Sequence, residues 1–266
     1  MSEYKYNYRD NSFNTQMAYA YTLLVQVGTQ SFDFAVLYEN RAIICEKGSS
    51  IGRLANARYD EVLSAPFQKV VVGISEQGFT LIPDAIFRQD MAPNLARFLD
   101  VKSQDRVMAQ SLDTENYIVY KTTDQVLDVV NKAFNASSTV FASKGLIIAA
   151  SKNNPSSLEI YINLKLDEEK LELIYFKGGK LHFYNSFLIK HQDEVPYFIG
   201  VVCTELKLDP STVKVIVSGD VAEEDVYFTR LSEFFRTELS PLTPVELPSE
   251  LAAQQLLPLT SLALCV

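Results

Sequence analysis

Residues 22–47, TLLVQVGTQSFDFAVLYENRAIICEK, hold two short breaks in an otherwise β-type stretch, and the pattern returns at residues 158–188, LEIYINLKLDEEKLELIYFKGGKLHFYNSFL. In the first stretch Gly28, Thr29 and Gln30 separate an apolar run from Phe32–Tyr38, and Glu39 and Asn40 turn the chain into Arg41–Lys47. Small and polar residues between β-branched and aromatic runs mark tight connections, so the segment reads as a three-stranded antiparallel meander. The second stretch reads the same way, with strands at Leu158–Leu166, Lys170–Lys177 and Lys180–Phe187 and Gly178-Gly179 as the second hairpin turn. Laid on each other, Val25–Val27 matches Ile162–Leu164, Tyr38 matches Phe176, and Arg41–Lys47 matches Lys180–Ser186, with one extra residue assigned to the Gly-Gly turn.

Each meander is followed by helical patterns and a valine-rich run. Lys69–Ile74 (KVVVGI) and Val213–Val217 (VKVIV) are nearly continuous apolar stretches, as expected of parallel strands buried on both faces. Val70–Val72 then matches Val215–Val217, and the order strand, strand, strand, helix, strand occurs twice. Within the first half, Asn56–Ser64 reads as mostly helical and Phe79–Ile82 as a short strand. Ala92–Leu99 has helical spacing, Val107–Ser111 and Tyr117–Tyr120 form a hairpin, and Thr123–Phe134 is a helix with Thr123 placed to cap it. Lys152–Ser157 (KNNPSS) is the expected boundary. The expected organisation is an N-terminal arm over 1–20, with Met1–Asp10 read as flexible, a first half over 21–152, a second half over 153–236, and an extended tail over 237–266 packed on the body.

A chain of 266 residues with 47% apolar and 21% charged side chains has a buried core and excludes collagen-like and disordered classes. The net charge of −9 argues against a nucleic-acid binder that works by neutralising phosphates. No basic segment leads into an apolar one at the N-terminus, and no apolar run is long enough to span a bilayer, so a cytoplasmic location is expected. Cys45, Cys203 and Cys265 are odd in number and widely spaced, which suits reduced thiols. Neither they nor His182 and His191 have metal-ligand spacing, so no metal site is expected. The aromatic residues of the second meander read mainly as alternating core positions.

The order of elements resembles the actin-like ATPase (ribonuclease H-like) superfold. Within it the chain is similar to an uncharacterised bacterial family, a domain of unknown function, related in fold to pilus and type II secretion assembly proteins. The residues carrying the closer resemblance are Phe79–Asp84, Phe176–Leu181, Asn185-Ser186-Phe187 and Ser218-Gly219. It implies a duplicated α/β fold, two mixed-sheet subdomains flanking a cleft.

The superfold's nucleotide motifs are altered at each position. Its first phosphate loop begins with an Asp, followed by an apolar residue, Gly and Thr; here the positions hold Gln26, Val27, Gly28 and Thr29. Its second begins with Asp and runs into glycines that let backbone N–H groups reach phosphate. Here Asn163 is followed by Leu164, Lys165, Leu166 and Asp167. The adenosine motif keeps one glycine, in Ser218, Gly219 and Asp220. Mg²⁺ on a nucleotide is normally held through carboxylates, and both carboxylate positions carry neutral amides. Gln26 and Asn163 are expected to bond neighbouring loops, Lys165 to be an exposed strand lysine, and Asp167 to lie in a solvated turn. The expected function is a non-catalytic scaffold or adaptor with no cofactor, an unknown protein partner and a possible homo-oligomeric state. The competing expectation is a divergent nucleotide- or sugar-phosphate-binding enzyme.

Overall fold

The computed structural model describes residues 6–134, 137–153 and 155–265. The chain divides into two compact units, one reaching to Gly145 and including the segment from Leu262, the other running from Leu146 to Ser261.

The first unit is built on a six-stranded sheet. Its elements are β1 (Asn7–Arg9), β2 (Tyr21–Val27), β3 (Ser31–Tyr38), β4 (Arg41–Ser50), α1 (Ile51–Ala55), β5 (Lys69–Ile74), β6 (Phe79–Pro83), α2 (Ala92–Leu95), β7 (Asp105–Ser111), β8 (Asn116–Thr123), α3 (Asp124–Ala133) and β9 (Ser138–Phe141). The strand order is β1-β4-β3-β2-β5-β9. The meander β2-β3-β4 is antiparallel, while β5 and β9 lie parallel beside β2. Leu23, Val25, Val27 and Val72 pack with Leu54, Val126 and Val130, which places α1 and α3 on this sheet's core. Thr123 Oγ1 accepts from the Val126 N–H at 3.3 Å and caps α3, as its sequence indicates. The hairpin β7-β8 forms with β6 a separate three-stranded sheet, order β6-β8-β7.

Helix α4 (Lys144–Lys152) leads into the second unit: β10 (Glu159–Lys165), β11 (Lys170–Lys177), β12 (Lys180–Leu188), α5 (Glu194–Leu206), β13 (Lys214–Gly219), α6 (Val226–Ser232), β14 (Arg236–Leu239) and α7 (Ala253–Thr260). The order β12-β11-β10-β13-β14 repeats β4-β3-β2-β5-β9, again with the last three strands parallel.

Register supplies an independent sign of duplication. The β3/β4 pairing slips between Val36 and Leu37, leaving Ile43 as the extra residue of β4. The β11/β12 pairing slips between Tyr175 and Phe176, leaving His182 as the extra residue of β12. Starting from the match of Val25 with Ile162, the ladders carry Val36 onto Tyr175 and Ile43 onto His182, so one bulge occurs at equivalent places. The same ladders correct the sequence alignment by one position. Phe176 matches Leu37, Tyr38 matches Lys177, and both hairpin turns have two residues. The added length lies between Leu164 and Lys170, where the meander lacks its earlier glycine turn.

Four other expectations are corrected. The arm is not free over its described part: Asn7–Arg9 pairs antiparallel with β4, and Thr15–Ala20 forms a 3-10 helix capped by Asn14. The helix placed over 56–64 is instead α1 at Ile51–Ala55 plus a 3-10 turn at Ala57–Tyr59, where Asp60 takes over the chain's N–H groups. The tail is not extended: β14 joins the second sheet and α7 packs on β13, because Leu256, Leu257 and Leu259 have an apolar face to bury. The division falls at Gly145, ahead of the Lys152–Ser157 turn, because the apolar α4 belongs mainly to the second unit. Among the described residues no helix is long and apolar enough to cross a membrane. Cys45 and Cys203 are buried and all three cysteines are free thiols; burial pushes the Cys45 thiol up to about 12.

Asp60 shows how the loop after α1 is held. Burial alone would raise its pKa, but the Arg53 guanidinium at 2.7 Å and the N–H groups of Leu63 and Val62 outweigh that and hold it below 3.8. A carboxyl depressed in the folded state stabilises above its unfolded value and loses that contribution as pH falls through the folded one. Asp60→Asn is expected to cost about 2 kcal/mol near neutral pH, with the difference from wild type shrinking in acid. Urea unfolding at both pH values checks this; an equal difference at both contradicts it.

Candidate functional site

The ends of the parallel strands bring the sequence-selected residues of the second unit together. In β10, Asn163 lies opposite Glu172 on β11 and Ser218 on β13, so the three side chains share one face of the sheet. Asn163 and Glu172 are both 0% exposed. A carboxylate withdrawn from water requires donors, and those of Glu172 include an amide, an ammonium and a phenol. Asn163 Nδ2 donates to Oε2 at 2.7 Å, while Lys165 Nζ at 3.3 Å and Tyr184 Oη at 3.1 Å donate to Oε1. Lys165 is therefore not the exposed strand lysine expected: it is 7% exposed and pairs with Glu172. Two strand positions separate it from Asn163, which returns it to the same face.

Gly219 follows at the end of β13 with φ +91°. A Cβ there would overlap the Leu164 carbonyl oxygen and lie 2.5 Å from Asn163 Oδ1, so only glycine fits. Asn163 Oδ1 is itself buried without a hydrogen-bond partner. Ser218 Oγ donates to the Ile162 carbonyl at 3.0 Å. Asp220 closes the group: its N–H donates to Leu164 O at 2.7 Å, and its Oδ2 accepts from the Leu166 N–H at 2.9 Å. Its residue is 2% exposed. The turn between β10 and β11 is a 3-10 segment, Leu166–Glu168, completed by Glu169 at φ +51°. Asp167 is exposed there, as expected.

Gln26 occupies the equivalent position in the first unit, opposite Asp33 and Gly73. Its Oε1 is buried without a hydrogen-bond partner, whereas Asp33 Oδ1 accepts from the Gly48 N–H at 2.8 Å. Gly28 closes the β2-β3 turn by donating to Ser31 O at 2.9 Å, and Thr29 is exposed. Gly73 is packed against Leu262 and Ala142 too closely for a side chain. An amide thus stands opposite a carboxylate on the first two strands of both sheets, and in the second the two are hydrogen-bonded. His182 and His191 are exposed, the latter 3.2 Å from Asp193. Among the described residues no group of three His, Cys, Asp or Glu side chains converges as metal ligands would.

Glu172 and Tyr184 were not among the sequence candidates. The available signal was Leu-Glu-Leu inside a strand whose interior positions are otherwise apolar, where a charged residue requires a buried partner.

A family model described as "Protein of unknown function (DUF3822)" matches residues 10–237. A solved protein of unknown function with an actin-like ATPase fold, from Bacteroides thetaiotaomicron, is similar over 95% of this chain and 99% of its own. Its TM-score is 0.77 at 16% identity. A structure of the PilM-PilN type IV pilus biogenesis complex aligns over 91% of this chain and 96% of the other, with a TM-score of 0.54 and 12% identity. The fold is therefore the actin-like ATPase fold, in mixed α/β sheets. No curated protein matches the sequence.

The network makes a distinctive stability prediction. Lys165→Met or Glu172→Met alone removes one half of a buried ion pair and is expected to cost about 3–5 kcal/mol, whereas the double replacement costs much less than the sum of the two. Denaturant unfolding of the three variants measures this coupling, and additive costs contradict it.

Proposed function

We propose that this chain, which belongs to the DUF3822 family, is a non-catalytic scaffold or adaptor of the actin-like fold, working in the bacterial cytoplasm through a protein partner. The observation that carries this reading is the Asp220 carboxylate on the Leu166 N–H. In a phosphate-binding loop that kind of backbone donor would face a phosphate oxygen; here the protein's own anion takes it.

The donor set also argues against Mg²⁺-nucleotide. Mg²⁺ favours hard carboxylate and water ligands. Asn163 Nδ2 is committed as a donor to Glu172, Glu172 already accepts from Lys165 and Tyr184 as well, and Gln26 offers a neutral amide. The Leu164, Lys165 and Leu166 side chains follow Asn163 where a close backbone approach would call for glycine. We derive no catalytic step through nucleotide. Support for an adaptor role comes from the similar PilM fold, seen in a complex with PilN.

Mg²⁺-ATP at about 5 mM is expected to leave the melting temperature within about 1 °C, because a ligand stabilises only through binding the native state. A rise of several degrees would return the nucleotide- or sugar-phosphate-binding reading. Gln26→Asp combined with Asn163→Asp is expected to lower stability, by placing a second carboxylate against Glu172, and to release no phosphate from ATP above the buffer rate. Turnover by that variant, followed by phosphate release, contradicts the proposal.

A further inference from the structure

The duplicated sheets differ at one edge. In the first unit the outer edge of β4 is covered by β1, with Asn7 opposite Glu46, Tyr8 opposite Cys45 and Arg9 opposite Ile44. The flanking bonds run from the Lys47 N–H to Tyr6 O at 3.0 Å and from the Asp10 N–H to Ile43 O at 2.8 Å. The equivalent strand, β12, is the outermost strand of its sheet among the described residues. The shared register places Phe183, Tyr184 and Asn185 where Ile44, Cys45 and Glu46 receive β1, and makes His182 O and Ser186 N–H the counterparts of Ile43 O and Lys47 N–H. The Ser186 N–H is held by the neighbouring Asn185 Oδ1 at 2.9 Å. Bulges and lysines commonly blunt exposed edges. The bulge at Ile43, however, adjoins the residues that pair with β1, so the same bulge at His182 leaves the edge able to pair.

The chemistry around β12 selects a partner. From Leu173 to Gln192 the chain carries Lys177, Lys180, Lys190, His182 and His191 and no acidic residue, in a protein of net charge −9. All five are exposed. The next acids lie at the far end of this stretch: Asp193 is 2.6 Å from Arg230 and 3.2 Å from His191, and Glu194 accepts the N–H groups of Lys190 and His191. On the α5 side, Phe187 stacks on Phe198 at 4.5 Å between ring centres and Tyr197 packs edge-on against Phe198; Leu188, which alternates to the opposite face, is 73% exposed.

We propose that β12 is a docking edge for an extended, acidic segment of a partner protein, which adds antiparallel along Phe183–Asn185 as β1 does along β4. Main-chain bonds hold it, apolar side chains rest on the Phe187–Phe198 shelf, and carboxylates meet the lysines. Two copies joined edge to edge would bring like charges together, which disfavours self-pairing. The inference deepens the adaptor reading and rests on it; nucleotide binding tests that reading and strand binding tests this one, so their failures are distinguishable.

The test is fluorescence polarisation of the full chain with labelled synthetic heptapeptides that alternate Glu with Ile, Phe and Val, against the same peptides with Lys for Glu. Binding of the acidic peptide at least about tenfold tighter than the basic one is expected. N-methylation of its alternate backbone nitrogens should abolish binding. Ser186→Pro should abolish it too, with the melting temperature little changed, since that N–H points away from β11. Lys180→Glu with Lys190→Glu should weaken it at least about tenfold and tests the same edge should the proline variant unfold. No binding of the acidic peptide, equal binding of the basic or N-methylated peptide, or undiminished binding by these variants overturns the proposal. A concentration-dependent dimer that Ser186→Pro abolishes overturns it in favour of self-pairing.

Discussion

A carboxylate that no water reaches has to be supplied with donors by the protein, and Glu172 imposes this requirement on the second unit. Asn163 and Lys165 on β10 and Tyr184 on β12, the strands on either side of its own, are among its donors. A slip of one residue in either ladder would turn Asn163, Lys165 or Tyr184 to the opposite face and leave the charge unpaired. The network therefore fixes register more stringently than apolar packing alone. Register in turn sets Gly219 opposite Leu164, close against Asn163 Oδ1, and brings Asp220 to the Leu166 N–H. The arrangement at the end of this sheet thus follows from the buried pair.

One frame serves twice under different demands. Both sheets keep the five-strand order and the bulge in the third meander strand. The first adds β1 along its edge, a separate three-stranded sheet after β5, and a glycine at position 73 against Leu262. The second invests in the polar network and leaves β12 outermost. Packing alone is thus satisfied by either half, and the differences concentrate at strand ends and edges, where function is usually placed in such sheets.

The valine runs and the repeated meander made the fold legible, since continuous apolar strands and two-residue turns are local signals. The Thr123 cap was legible for the same reason. Lys165 was misread because a lysine near a strand end has the same local sequence whether it faces water or a buried carboxylate; its partner lies on another strand. The Tyr38–Phe176 alignment missed by one because the added residues fall among Leu166–Glu169, where apolar periodicity gives no register. Asn7–Arg9 is too short to announce itself as a strand, and α7 is interrupted in sequence by Gln254, Gln255 and Pro258, whose helix is sustained by burial against β13.

The central claim is that the protein's own groups occupy the position where this fold would otherwise hold phosphate. It is tested most directly by a crystal structure of the full chain soaked with Mg²⁺-ATP. The account predicts Asp220 Oδ2 on the Leu166 N–H and Asn163 on Glu172, with no nucleotide against them. A phosphate oxygen on the Leu166 N–H, with Asp220 turned away, would contradict it.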